Sequence, residues 1–368
     1  MKIEKIYLYF ISEILRIRIK PRTIQLPITG KCNSCCTTCN VWKQKIKNDM
    51  DVSKLKKIVE DKYLSNVKNV GVNGGEPFLH SQFNEIINCL MKLPKLKNIY
   101  IITNGINTKL IVDTLKETKK ICKKNNVKLF LTVSFDGVDE IYYKVRGVKN
   151  AYDKVYDTIH VIMSNQSEFC DSFSLGTTVS TRNVGYLSQI KNFSSYSNLS
   201  VNYHIAVPNR RIFTENVNDY SVLNNQLDKM IATEFFYSEF KCSKSFKKKL
   251  LYFQNYYYLV NNGTKRISAC SYKKEDITID ENCDVYFCAR ESKVIGNGYD
   301  TPIRNIVKSN KAKRESLRIY ESCSSCGHYI TMPTIKGLLL FIIEIGKPSI
   351  WIYYEMYCQF MCLFRRLK

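Results

Sequence analysis

Between residues 23 and 207, six short runs rich in Ile, Val, Leu and Tyr alternate with stretches long enough for one helix each. The runs are "TIQLPI", "NVKNVGVN", "KNIYIITN", "VKLFLTVSF", "SFSLGTTVS" and "LSVNYHIAV"; the helical stretches fall at 52–63, 80–92, 107–123, 150–164 and 183–193. Parallel strands need a crossover, and a helix between each pair supplies it. The alternation therefore predicts an α/β fold with a parallel sheet, open or curled into a partial barrel. In such sheets side chains from successive loops converge at the carboxyl ends of the strands, so chemistry gathers there. The unusual segments sit in those places: "GKCNSCCTTCN" follows the first run, "NGGEP" the second, "TNG" the third, and "SFDG" ends the fourth.

A chain of 368 residues is long enough for one large α/β domain and an appendage. The predicted layout is an amphipathic segment at 1–22, the barrel at 23–208, a helical connection at 209–262, a compact cysteine-bearing region at 263–330 and an apolar tail at 331–368. Fifteen cysteines, an odd number spread over the whole length, do not fit a disulfide-stapled secreted domain. Reduced thiols in a cytoplasmic protein, available as metal ligands, fit better. The opening "MKIEKIYLYFISEILRIRIKP" is interrupted by Glu13, Arg16 and Arg18 and shows no small-residue cleavage site, which argues against a signal peptide. The net charge of +23 could attract nucleic acid, anionic lipid or phosphorylated substrates. Because Lys, Asn, Ile and Tyr are abundant throughout, a compositional bias explains the charge without a partner, and nucleic acid is disfavoured. Glu344, Lys347 and Pro348 cut the tail into runs shorter than the roughly 20 apolar residues a membrane span requires. A docked helix is expected there, with a peripheral contact to an anionic membrane as the alternative.

The cysteine loop places Cys32, Cys35, Cys36 and Cys39 in eight positions. Read as two C-x2-C pairs, it closes a tetrahedral zinc site. Read as C-x3-C-x2-C, it offers three thiolates to a four-iron cubane and leaves one iron open. Neighbours Cys35 and Cys36 do not easily turn to one metal, which favours the second reading. In "NGGEP" consecutive glycines let the backbone approach a ligand, and Glu76 adds an anionic acceptor for an ammonium group. Taken alone, the segment also reads as a plain turn with Pro77 opening a helix.

In this order, over roughly residues 23–208, the segments resemble the radical S-adenosylmethionine (radical SAM) superfamily. The resemblance implies that Cys32, Cys36 and Cys39 hold a [4Fe-4S] cluster while Cys35 is a bystander. It further implies that Gly74, Gly75 and Glu76 hold the methionine ammonium of S-adenosylmethionine, that Ser134 and Asp136 lie near its ribose, and that Arg146 in "KVRG" meets its carboxylate. Thr38 stands where the family often has an aromatic residue. The implied activity is reductive cleavage of S-adenosylmethionine to a 5′-deoxyadenosyl radical that abstracts a substrate hydrogen. A reduced flavodoxin- or ferredoxin-like partner is the implied electron donor.

Further along, Cys270, Cys288, Cys323 and Cys326 have the form C-x17-C…C-x2-C around a hairpin-like "DITIDENCDVYFCA". This resembles the SPASM/twitch appendage of many radical SAM enzymes. A full SPASM domain carries further cysteines for a second cluster. Here Gly327, His328 and Tyr329 follow instead, and no cysteine appears until Cys358. One auxiliary [4Fe-4S] cluster is therefore implied, with a structural zinc at the same positions as the alternative. Cys283 stands where a turn glycine is common, and Cys358 and Cys362 read as buried apolar residues. Cys89, Cys122, Cys170 and Cys242 are scattered singly and read as small hydrophobes. The four histidines, His80, His160, His204 and His328, show no ligand spacing. Enzymes with such an appendage commonly modify peptides or oxidise sugar-like alcohols. The competing reading is a non-catalytic iron–sulfur or zinc scaffold that binds RNA or an anionic membrane.

Overall fold

The computed structural model describes residues 18–209, 220–288, 290–328 and 333–347. Six strands, β1 (Thr23–Pro27), β2 (Asn69–Asn73), β3 (Asn98–Thr103), β4 (Lys128–Ser134), β5 (Ser172–Val179) and β6 (Val201–Ile205), pair in parallel and in sequential order. They form the arc of a partial (β/α)6 barrel, as the alternation predicted. The intervening helices of more than one turn are α1 (Val52–Val59), α2 (Phe83–Leu90), α3 (Thr108–Lys124), α4 (Glu140–Arg146), α5 (Ala151–Ser164) and α6 (Leu187–Tyr196). The side chains of Asp51 and Asn107 cap α1 and α3 by accepting from backbone N–H groups of the first turn. Helix α4 was not expected.

Strand periodicity sorts side chains onto two faces. In β4, Leu129, Leu131 and Val133 are buried, while Phe130, Thr132 and Ser134 are only half-buried. Ile24, Leu26, Val70, Val72, Ile99 and Ile101 continue the buried face across the neighbouring strands. The opposite face is polar. Asn73 donates to Gln25 at 3.0 Å, the hydroxyls of Thr132 and Ser174 lie 3.1 Å apart, and Asn202 reaches Ser174 at 3.3 Å. Tyr100 and Ile102 stand 41% and 49% exposed among them. A closed barrel fills its interior with packed side chains, whereas this open arc leaves a polar face accessible.

The sheet continues past β1 with residues from far down the chain. α7 (Gln226–Cys242) and α8 (Phe246–Val260) come first, then β7 (Ile277–Ile279), β8 (Asp284–Tyr286) and β9 (Gly296–Asn297). β7 pairs parallel with β1, Ile24 opposite Ile277, and β8 and β9 add antiparallel strands. The cysteine-bearing region thus shares one hydrogen-bonded sheet with the barrel. Cys283, in the β7–β8 turn, has φ +67°, the conformation that glycine adopts most readily. α9 (Ile303–Lys308) and α10 (Asn310–Ser322) follow.

α11 (Ile335–Ile345) docks through a narrow stripe. Phe341 is fully buried, its ring 5.7 Å from that of Phe240 and 5.5 Å from that of Phe253. Ile335, Leu339, Ile342 and Ile343 remain exposed. The opening segment 1–17 and the end of the tail, with Cys358 and Cys362, lie outside the described residues. Among the described residues no helix is long and apolar enough to cross a membrane.

Candidate active site and second cysteine centre

The cysteine loop after β1 is pinned from two sides. Gly75 N–H donates to Thr29 O at 2.8 Å and Glu76 N–H to Lys31 O at 2.7 Å. On the other side, Cys35 N–H donates to Arg146 O and Thr37 N–H to Val145 O, both at 2.9 Å. A Cβ on Gly75 would run into the Lys31 carbonyl, and one on Gly147 (φ +68°) into the Cys35 carbonyl. In "NGGEP" the glycines admit the cysteine loop, and the N–H groups of Gly75 and Glu76 are engaged there.

Cys32, Cys36 and Cys39 are half-buried, while Cys35 is exposed and joins the fold through its backbone. Burial pushes the Cys32 thiol up to about 12, and Cys36, Glu76 and Cys39 lie near enough to add to the effect. Arg146, at the end of α4, reaches the Cys36 sulfur at 3.5 Å and pairs with Asp136 at 2.6 Å. Burial opposes the Arg146 charge, but Asp136 and Cys36 outweigh it. Its Nε is buried without a hydrogen-bond partner. Asp136 also accepts from Thr178 N–H at 2.6 Å, so its carboxylate is engaged on both sides. The hydroxyl of Tyr142 donates to the carbonyl of Ser134 at 3.2 Å, holding the end of β4 against α4.

Glu76 is almost fully buried. Oε1 accepts from the Thr103 hydroxyl and Oε2 from Asn104 N–H, both at 2.7 Å. Burial nevertheless raises its pKa to about 7, because those two donors only partly replace water. Asn104, in the "TNG" segment, also donates from Nδ2 to Asn33 Oδ1 at 2.7 Å. The sequence singled out that segment by its position but assigned it no role. The arrangement sets three thiols of one loop between a buried carboxyl and a buried guanidinium. Such a pair of flanking charges complements a ligand that carries both signs.

The second set converges too. Cys270, Cys288, Cys323 and Cys326, all at least nine-tenths buried, line one cavity together with His328 and Arg290. Among the described residues no three His, Cys, Asp or Glu side chains stand close enough to hold a single metal ion. A tetrahedral zinc needs its thiolates packed around one point at about 2.3 Å, while the corners of a cubane spread them. A hydrogen bond from Cys323, then the charge of Arg266, holds the Cys270 thiol below its usual range.

Two arginines that the sequence reading passed over hold the arms together. Arg266 donates to the carbonyls of Ser268, Ala269, Cys326 and His328, tying the Cys270 arm to the Cys326 arm. Arg318 on α10 pairs with Glu315 at 2.6 Å and with Glu291 at 3.0 Å, which fixes the Cys288 arm. His328 is exposed, and the charges of Arg290, His204 and Arg266 near it disfavour its protonated form. His204, near the carboxyl end of β6, lies close enough to His328 for the two charges to oppose each other. A side-chain bond ties the appendage to the end of the barrel segment: Arg290 Nε donates to Pro208 O at 3.0 Å.

Residues 26–181 match the Radical SAM superfamily, and residues 270–327 match an iron-sulfur cluster-binding domain known as SPASM. The antilisterial bacteriocin subtilosin biosynthesis protein AlbA of Bacillus subtilis is 26% identical over 137 residues, which cover 37% of this chain and 29% of that protein. The GTP 3′,8-cyclase of Clostridium perfringens is 27% identical over 146 residues, covering 39% of this chain and 43% of the cyclase. The chain therefore spans less than half of the length of either relative. Among solved structures, native anSMEcpe with bound AdoMet and Cp18Cys peptide superposes with a TM-score of 0.58 at 16% identity, over 94% of this chain and 99% of that one. At that identity the likeness concerns the fold. None of these comparisons favours the non-catalytic scaffold.

Proposed function

We propose that this chain, which carries a radical SAM domain followed by an iron–sulfur cluster-binding domain, is a radical SAM enzyme that modifies a peptide. The observation that carries the reading is the trio Cys32, Cys36 and Cys39, held at the carboxyl end of the barrel beside buried Glu76 and Arg146. The residues present fit a [4Fe-4S] cluster with one open iron, because three thiols of the loop are half-buried together while the fourth, Cys35, is exposed. They also fit S-adenosylmethionine, whose methionine end is a zwitterion. When bound, these cofactors supply an electron and a 5′-deoxyadenosyl radical able to remove a hydrogen atom from substrate.

The protein's own residues bind and orient. Glu76 accepts the methionine ammonium, aided by the backbone of Gly74 and Gly75, and Arg146 offers its unpartnered Nε to the carboxylate. Asp136 keeps Arg146 in place. Ser134, on the accessible face of β4, stands at the ribose. Cys270, Cys288, Cys323 and Cys326 hold one auxiliary [4Fe-4S] cluster, fully ligated by the protein and suited to passing electrons. The electron donor is a reduced flavodoxin- or ferredoxin-like protein in the cytoplasm. A peptide substrate is supported by the peptide bound in anSMEcpe and by the bacteriocin role of AlbA. The sugar-like alcohol has no comparable support.

The test is iron and turnover after anaerobic reconstitution. Wild-type protein should hold about eight irons, four for each cubane. Replacing Cys32, Cys36 and Cys39 with Ala should remove half of the iron and abolish 5′-deoxyadenosine release, while Cys35→Ala changes neither. An iron loss in Cys35→Ala equal to that in Cys36→Ala refutes the ligand set. Release stimulated by free sugars and not by unmodified peptides refutes the substrate class.

A further inference from the structure

A separate cavity of about 510 Å³ lies where the start of β1 meets α9 and α10. Arg18, Lys20, Lys308 and Lys313 line it with Tyr63 and Tyr320, and no carboxylate is among its lining residues. Its size falls within the roughly 300–1,000 Å³ of small-molecule sites.

Lysines are common on the surface of this chain, so their presence alone says little. Arg18 is different. Its guanidinium is clamped by the carbonyls of Tyr272 at 2.5 Å and Asp276 at 2.8 Å, and it lies over the Phe287 ring at 3.9 Å. Those bonds engage two of its five donors. Burial lowers its pKa to about 10, which leaves it charged at neutral pH. Behind it, Asp276 is engaged with Thr23 N–H at 2.9 Å and does not line the cavity. The three lysines come from two distant stretches of chain, and none has a carboxylate partner among the described residues. A fixed arginine, with lysines around it that meet no carboxylate among the described residues, is built for multiple negative charges. The tyrosines give a flat group a surface.

We propose that this cavity binds a nucleoside phosphate, with the phosphates among Arg18, Lys20, Lys308 and Lys313 and the base against Tyr63 and Tyr320. The site is distinct from the cysteine loop and from the four-cysteine cavity, and it requires no chemistry from either.

Equilibrium dialysis of the anaerobically reconstituted full-length protein tests it, with ADP, adenosine and inorganic phosphate as probes. ADP should bind saturably at one site, at least about tenfold more tightly than adenosine or phosphate. Excess S-adenosylmethionine should not displace it. The double variant Lys308→Gln, Lys313→Gln should weaken ADP at least about tenfold, leaving iron content and S-adenosylmethionine binding as in the wild type. Lys311→Gln, on α10 with Lys313 but outside the cavity, should bind normally. No saturable ADP binding, displacement by S-adenosylmethionine, equal binding of phosphate, or an unaffected double variant would each overturn the proposal. So would capture of an acidic electron-transfer protein at this face with no binding of ADP.

Discussion

In the barrel loop, Cys32, Cys36 and Cys39 are half-buried and flanked by Glu76 on one side and the Asp136–Arg146 pair on the other. In the appendage, Cys270, Cys288, Cys323 and Cys326 are each at most 8% exposed and held by arginines that grip backbone carbonyls. The first set keeps ionisable side chains beside its thiols; the second uses cations to fasten its own arms. One arrangement leaves room for a charged reactant, and the other closes around what it holds.

The comparison breaks most sharply at Asp136. Its side chain is 5% exposed and that of Arg146 10%, so removing one partner strands a buried charge. Asp136→Asn should destabilise the fold by about 3–5 kcal/mol in urea unfolding. The Arg318 pairs in the appendage stand at a side chain that is 32% exposed, and Arg318→Gln should cost less. Equal losses would mean that the two regions do not differ in how they carry charge.

The next effect depends on pH. Burial raises the Glu76 pKa from 4.5 to about 7. Between those values the folded protein keeps a proton that the unfolded chain has lost, so stability falls as pH rises through the interval. The loss amounts to about 3 kcal/mol. Glu76→Gln should remove this contribution to the slope between pH 5 and pH 8, leaving that of Glu275, which burial also raises to about 7. An unchanged slope would move the titration to another group.

The smallest effect concerns the loop itself. The Ser34 hydroxyl donates to Arg146 O at 3.1 Å and sits 3.2 Å from the Cys36 sulfur. Ser34→Ala should cost about 1 kcal/mol of stability and leave the iron content of the appendage unchanged. A larger loss, or iron lost from the appendage, would show the two sites to be coupled.

Strand order and the positions of the cysteines were legible because both are local: apolar alternation marks each strand, and thiols are rare enough to stand out. Helix α4 was not, since its seven residues carry no side-chain N-cap and too few turns to show a period. The pairing of β7 with β1 was also invisible. Three residues carry no pattern, and their partners lie about 250 positions upstream. The close approach of Gly75 to the cysteine loop was invisible for a related reason. A glycine's freedom is visible in the sequence, but which neighbour fills the space beside it is decided by the fold.

The pairing of β7 with β1 also sets a schedule. Ile24 leaves the ribosome long before Ile277, and at about 5–20 residues per second the gap is on the order of tens of seconds. Throughout that interval one flank of β1 presents unpaired N–H and C=O groups, the template along which strands aggregate. The nascent chain must shield that edge, or borrow shielding from a chaperone, until its own later residues arrive.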